Sequence, residues 1–146
     1  MILIFFGVLS NACTNTDKKN TINEPDSDVC INCPNWEDFP GSYEYTSYIV
    51  VGIVLDSNCI QLGDSGDEFA AFDNDGNVRG IGVMLDVSFG PYADTSVYEM
   101  TMRSNNIGDI LTFQYYDASE DLILNIYETY EFQNNQQLGN LITGAM

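Results

Sequence analysis

The sequence contains no histidine and only four basic side chains, against 22 acidic ones, so its formal net charge is −18. Without histidine, the chain lacks the commonest general base and the commonest transition-metal ligand. Such an excess of negative charge repels phosphate backbones and anionic lipid headgroups. We therefore predict no nucleic-acid partner and no direct binding to membranes, whereas uncharged ligands and divalent cations remain compatible with this surface.

The motifs of common enzymes are also missing. The sequence has no glycine-rich phosphate loop, no Gly-x-Ser-x-Gly elbow and no Cys–His pairing. Two carboxylates can form a glycosidase site, but with 22 acidic residues close pairs are expected by chance. We therefore predict that the protein is not an enzyme and has no catalytic residues.

Helical periodicity is absent after residue 36, and short runs of β-branched and aromatic residues alternate with turn clusters instead. This regular spacing is typical of β-sandwiches and barrels. The sequence thus predicts an all-β fold, a single antiparallel β-sandwich of jelly-roll or Ig-like type with seven to eight strands. The expected strands are 43–55, 59–62, 68–72, 78–87, 97–103, 110–116 and 122–132, with a further one at 138–143.

The N-terminus begins with an apolar run, residues 1–9, that is too short to span a bilayer and suits a secretory signal. The following Ser10-Asn11-Ala12-Cys13 resembles the lipobox of bacterial lipoproteins. That resemblance implies cleavage before Cys13, lipidation of its thiol, and a secreted protein held at the outer membrane or cell surface through the lipid alone. An ordinary signal peptide is the alternative. We expect a signal at 1–12, a flexible tether at 13–29, which is almost devoid of apolar residues, and one domain at 30–146.

Three further cysteines are Cys30, Cys33 and Cys59. The Cys-x-x-Cys spacing of the first two suits zinc or redox chemistry, but zinc needs four ligands, and Pro34 and Pro40 oppose the helix of a redox motif. Secretion favours disulfides. We predict a disulfide that joins Cys59 to Cys30 or Cys33.

Arg79 is the most informative charged residue, because it shares one side of strand 78–87 with apolar residues such as Ile81 and Val83. A buried arginine needs a carboxylate partner, since an unpaired buried charge is very costly. We predict a structural ion pair between Arg79 and Glu68 or Asp67. Ligand binding by the arginine is the alternative.

The turn at 73–77 places Asp73, Asp75 and Asn77 at alternate positions, as at the start of a calcium-binding loop. Asp64 in a neighbouring loop could join such a site. The glutamate of a complete calcium loop is replaced by Met84, however, and plain hairpin chemistry explains the Asp-Gly pair equally well. We therefore predict no cofactor, and bound calcium is the alternative.

Aromatic side chains are the remaining candidates for ligand contact. Most aromatic residues of a small sandwich pack in its core or in cross-strand pairs. We single out Tyr92, in a loop, and Trp36, at the edge of the domain, as residues that could stack on a sugar ring. A plug over the end of the sandwich is the other interpretation of Trp36.

Four ordered segments between residues 34 and 140 resemble a repeat domain of secreted surface proteins from Bacteroidetes-type bacteria. They are Pro34-Asn35-Trp36 with Tyr43-Glu44-Tyr45, residues 66–72 with Val78-Arg79-Gly80, residues 111–119, and residues 128–132 with Leu138-Gly139-Asn140. The resemblance implies an extracellular β-sandwich without assigned activity. We expect a non-catalytic module for adhesion or for binding a cell-surface glycan or protein. A purely structural spacer or assembly module is the alternative, ahead of a small hydrolase.

Overall fold

The computed structural model describes residues 3–5 and 30–139, which form strands, turns and two short 3-10 segments, Pro40–Ser42 and Gly90–Tyr92. The tether at 13–29, Cys13 and most of the signal lie outside the described residues. The all-β class is confirmed, and predicted strands 68–72 and 78–87 match two observed strands residue for residue. The nine strands are β1 (Leu3–Phe5), β2 (Tyr45–Leu55), β3 (Gln61–Leu62), β4 (Glu68–Phe72), β5 (Val78–Val87), β6 (Thr95–Ser104), β7 (Ile110–Asp117), β8 (Leu122–Glu131) and β9 (Gln137–Leu138).

The strands form one curled sheet in the order β1-β2-β6-β5-β4-β7-β8, and every pair along this path is antiparallel. The short strands β3 and β9 both pair with β2, and β9 does so in parallel. Strand β2 therefore pairs both with the first strand, β1, and with the last strand that the structure describes, β9.

The core lies on the inward face of this sheet. The predicted alternation is confirmed in β6, where Tyr98, Met100 and Met102 are buried, and in β7, where Leu111, Phe113 and Tyr115 are buried. Phe69 of β4 lies between two of these rings, 5.5 Å from the centre of Tyr98 and 5.7 Å from that of Phe113. A Cβ atom on Gly82 of β5 would lie 2.9 Å from the Phe69 ring, so only glycine lets the two strands approach this closely.

The opposite, outward face is partly covered by residues 30–39, which we call the strap. The strap contacts Tyr116 of β7 through Cys30, Phe72 of β4 through Trp36, and Arg103 of β6 through Asp38. Phe72 and Tyr116 belong to the outward rows of their strands, yet they are only 8% and 2% exposed. The strap therefore gives the outward face of β4 and β7 a second buried layer.

A second apolar cluster lies at the other end of the outward face, where Val87 and Val97 belong to the outward rows of β5 and β6. Its buried members are Val51, Ile53, Leu55, Val87 and Val97. Cys59 and Tyr92 pack against it from two loops. Between this cluster and the strap, part of the outward face remains open.

The predicted bonding of Cys59 to Cys30 or Cys33 is wrong, because Cys30 and Cys33 are bonded to each other, with their Cα atoms 5.5 Å apart. Position in the fold explains the difference. The two strap cysteines both reach Tyr116 of β7, whereas Cys59 packs against the second apolar cluster. The Cys-x-x-Cys pair therefore closes a small ring within the strap.

Candidate functional site

Arg79 pairs with Asp73, and the predicted pairing with Glu68 or Asp67 is wrong. Its Nη2 lies 2.8 Å from Asp73 Oδ2 and its Nε lies 2.9 Å from the same oxygen. The guanidinium also lies over the ring of Tyr43, 4.4 Å from the ring centre, which adds a cation–π contact. The arginine is thus held on both sides by groups of the protein.

A β-bulge explains why the partner differs. Phe72 pairs with Val78 and Ala71 pairs with Gly80, so Arg79 has no residue opposite it. The extra residue directs the Arg79 side chain back towards the preceding turn, whose first residue is Asp73.

The two predicted partners are engaged elsewhere. Asp67 accepts hydrogen bonds from the Tyr115 hydroxyl at 2.5 Å and from the Ala118 backbone N–H at 2.8 Å. Glu68 is paired across the sheet with Tyr116, on the face that the strap covers. Burial raises the pKa of the Glu68 carboxyl above its ordinary value, because burial disfavours the ionised form.

Asp73 organises the hairpin between β4 and β5. Burial alone would raise its pKa, but hydrogen bonds from the Asn77 side chain and backbone, from Arg79 and from the Asp75 backbone together lower it. Each of these donors favours the ionised carboxylate. The ionised Asp73 carboxylate is therefore the central hydrogen-bond acceptor of a tight turn.

The predicted calcium ligands do not meet in one site. Both oxygens of Asp73 already accept N–H groups of Asp75, Asn77 and Arg79. Across the described parts of the chain, no group of three or more histidine, cysteine, aspartate or glutamate side chains is close enough to hold a metal ion. Hairpin chemistry accounts for the motif, because Gly76 adopts φ +82° and donates to the Asp73 carbonyl at 3.1 Å.

The two aromatic residues predicted to stack on ligands are both packed against protein. Trp36 is half-buried and meets Phe72 edge to face, with the ring centres 5.4 Å apart. Tyr92 is half-buried against the second apolar cluster. For Trp36, the structure agrees with a packing role, and the ring of Tyr92 is only partly exposed.

The strap is tied down by a contact that the sequence analysis missed. The Asp121 carboxylate accepts the backbone N–H groups of Ile31 and Asn32 at 3.2 and 3.0 Å, and the hydroxyl of Tyr116 at 2.8 Å. The Asn32 hydrogen bond, foremost among these, lowers the pKa of Asp121. Burial and this carboxylate raise the pKa of Tyr116 to about 12. A turn aspartate gives no sequence signal for a partner 89 residues away.

The open part of the outward face contains a groove of about 450 Å³. It lies over β2, β6 and β5, and Asp38 of the strap and Gln137 of β9 also line it. Its apolar lining includes Ile81 and Val83, and Val83 is 60% exposed. The lining residues are Asp38, Tyr48, Ile49, Val50, Ile81, Val83, Glu99, Met100, Thr101, Arg103 and Gln137.

Three of the six polar side chains that line the groove come from one strand. Glu99, Thr101 and Arg103 form the outward row of β6, and the sequence alternation predicts this row. Arg103 is ion-paired with Asp38 and also donates to the Thr101 carbonyl at 3.3 Å. Glu99 is exposed and can accept a hydrogen bond from a hydroxyl group, while Thr101 can both donate and accept hydrogen bonds.

Tyr48 supplies the one aromatic ring among the lining residues. Its hydroxyl shares a hydrogen bond with Thr46 Oγ1 at 3.0 Å, so the side chain is held at the groove wall. An apolar wall, one ring and a row of hydrogen-bonding groups are the elements that orient a small polar ligand.

Comparisons with protein families, with curated proteins and with solved structures found no match to this chain. Within residues 3–5 and 30–139, no helix is long and apolar enough to cross a membrane. The groove on the outward face is therefore the feature on which a function has to be argued.

Proposed function

We propose that the protein is exported and serves as a non-catalytic surface module that binds an uncharged glycan in the groove over β2, β6 and β5. The proposal includes a β-sandwich of jelly-roll or Ig-like type and a lipid anchor at Cys13. The apolar run at 1–9 and the lipobox-like Ser10–Cys13 argue for export. The resemblance to a secreted repeat domain argues for a surface role without catalysis.

One observation carries the choice of ligand. The groove combines an aromatic ring at Tyr48 and the apolar side chains of Ile81 and Val83 with the hydrogen-bonding groups of Glu99 and Thr101. A sugar ring presents an apolar C–H face and a rim of hydroxyls, and these elements complement both.

The net charge of the molecule restricts the class of glycan that the groove is expected to bind. A formal net charge of −18 repels sulfated, phosphorylated and uronic glycans, and the arginine of the groove is already paired with Asp38. Neutral hexose or pentose units are therefore the expected class.

The test is a glycan-array screen of the secreted protein, followed by titration calorimetry on any neutral glycan that binds. Val83→Trp is the critical variant, because Val83 is 60% exposed and a larger side chain there fills the groove without disturbing the core. We expect the variant to weaken binding by about ten-fold or more.

The matched control is Ile107→Trp, which adds the same ring at a residue that is 58% exposed and does not line the groove. Its affinity should equal that of the parent protein. Absence of binding across the array, or equal weakening by both substitutions, contradicts the proposal.

A structural spacer without ligand is the second candidate. It is favoured by the packing of Trp36 against Phe72 and of Tyr92 against the second cluster, which removes both predicted stacking platforms. An array without binding, from a folded protein, is the result that this candidate predicts.

A further inference from the structure

The far end of β2 is completed by residues from the N-terminus of the chain. Leu3, Ile4 and Phe5 pair antiparallel with Leu55, Val54 and Ile53. The same short strand, β1, also contacts β8, the last strand at the other end of the sheet. Strand β1 thus fills the space between two strands that would otherwise be sheet edges.

The position of these residues in the sequence has a consequence. They belong to the apolar run that the sequence predicts to be an export signal, and such a signal is removed after export. Loss of Leu3–Phe5 would leave Val54 and Leu55 paired with β3 alone and would remove the β1 partner of Ile53.

This vacated edge is apolar. In the presence of β1, Ile53, Val54 and Leu55 are 7%, 0% and 3% exposed, and they belong to the two apolar clusters of the fold. An unpaired strand edge with apolar side chains readily accepts another strand, because added backbone hydrogen bonds and side-chain burial both favour pairing.

We propose that the exported protein uses this slot to accept a β-strand from a partner protein, added antiparallel to Ile53–Leu55 in the place of Leu3–Phe5. This inference rests on the export included in the proposed function and goes beyond glycan binding. It assigns the protein a second surface, which is built for assembly.

The chemistry of the partner strand follows from the surroundings of the slot. Its central residues are apolar, as Leu3–Phe5 are, because they replace those residues beside Ile53–Leu55. Residues 1–12 carry no charged side chain, so the remaining chain keeps the full net charge of −18, and Asp56 directly follows the slot. A second copy of this chain is repelled by that charge, whereas a partner with basic residues flanking the strand is attracted.

The experiment uses the full chain, secreted with its own leader, and intact mass spectrometry reads its processed N-terminus. The probe is a fluorescent peptide with the sequence of residues 2–7 between lysine pairs. The control peptide has proline in place of Ile4, which keeps the charge but prevents strand pairing. We expect the processed protein to bind the first peptide about ten-fold or more tightly than the second.

Hydrogen exchange locates the binding. We expect the first peptide to slow exchange of the β2 amides at 53–55 by about ten-fold or more, and the proline peptide to leave them unchanged. Equal binding of both peptides, no change at 53–55, or retention of Leu3–Phe5 after secretion overturns the inference. Protection of 53–55 that rises with protein concentration alone also overturns it, in favour of self-association. None of these outcomes affects the Val83→Trp test, so failure of the strand slot and failure of glycan binding are distinguishable. Retention of Leu3–Phe5 would in addition contradict the lipid anchor proposed at Cys13.

Discussion

The outward face of the sheet is treated differently in its two halves. Over β4 and β7, the strap covers Phe72 and Tyr116 so completely that they are as inaccessible as core residues. Over β2, β6 and β5, the strap leaves Val83, a lining residue of the groove, 60% exposed. The comparison shows that the same outward strand positions are buried where a segment crosses them and exposed to solvent where the strap does not reach.

Removing the indole of Trp36 tests the covered half most severely. Trp36→Ala deletes the ring that packs on Phe72 and should lower the free energy of unfolding by about 2–3 kcal/mol, less than for a fully buried tryptophan because the ring is half-buried. Urea denaturation measures this. Phe39→Ala is the control in the same strap, since Phe39 is 55% exposed and should cost less than about 0.5 kcal/mol. Equal costs would show that the strap is not held by the Trp36–Phe72 contact.

The hairpin behind Phe72 provides the next largest effect. Asp73→Ala removes the carboxylate that holds Arg79 and should cost about 2 kcal/mol at neutral pH, because the guanidinium is left half-buried without its anion. Asp75→Ala, in the exposed part of the same turn, is the control and should cost far less.

This effect should depend on pH in one direction. The folded pKa of Asp73 lies below its ordinary value of 3.8, so its stabilisation is complete above that value and is lost as the pH falls through the lower folded pKa. Urea denaturation at pH 6 and at stepwise lower pH should show the two proteins converging below pH 3.8. A difference in the free energy of unfolding between the parent protein and Asp73→Ala that stays constant into strong acid would contradict a stabilising role of the ionised carboxylate.

The disulfide of the strap should contribute less. Replacing both Cys30 and Cys33 by serine opens a ring with a sequence separation of only three, so the chain-entropy model gives a cost of about 1–2 kcal/mol. Hydrogen exchange should accelerate at Ile31 and Asn32 while the groove strands stay protected. Faster exchange throughout β6 would show that the two halves are not independent.

The smallest effect is expected in the open half. Val83→Ala removes apolar surface that is already largely in water, so the free energy of unfolding should change by less than about 0.5 kcal/mol. Thermal denaturation measures this. A loss above about 1.5 kcal/mol would mean that Val83 is covered in solution, and it would remove the contrast between the two halves.

Much of the strand pattern was predictable, because alternation is a local property. Strand β5 runs from Val78 to Val87 and β4 from Glu68 to Phe72, as predicted, and the inward row of β7 follows the alternation of Leu111, Phe113 and Tyr115. Alternation predicts burial less well at the ends of strands. Leu122 at the start of β8 is 45% exposed, although it continues the apolar row of Leu124 and Ile126.

The features that escaped prediction depend on contacts between distant residues or on a local irregularity. The bulge at Arg79 changes the side chain's direction without any change in composition, and so its partner is Asp73. The sequence predicts that residues 30–39 belong to the domain, but nothing in them encodes their place on β7 and β4. The groove could be predicted only in part. Alternation predicts the outward row of Glu99, Thr101 and Arg103, but not which neighbouring strands flank it.

The strap also determines how the domain responds to a pulling force. Once Leu3–Phe5 have been removed, a force applied from the N-terminal side of Cys30 first meets the Asp121 hydrogen bonds and the contact with Tyr116, at the turn between β7 and β8. It meets these before it reaches Tyr45 at the start of β2. The disulfide keeps the first four strap residues from extending under that load. The domain would therefore bear tension at the end of the β7–β8 hairpin, while β2 and the groove over it stay unloaded.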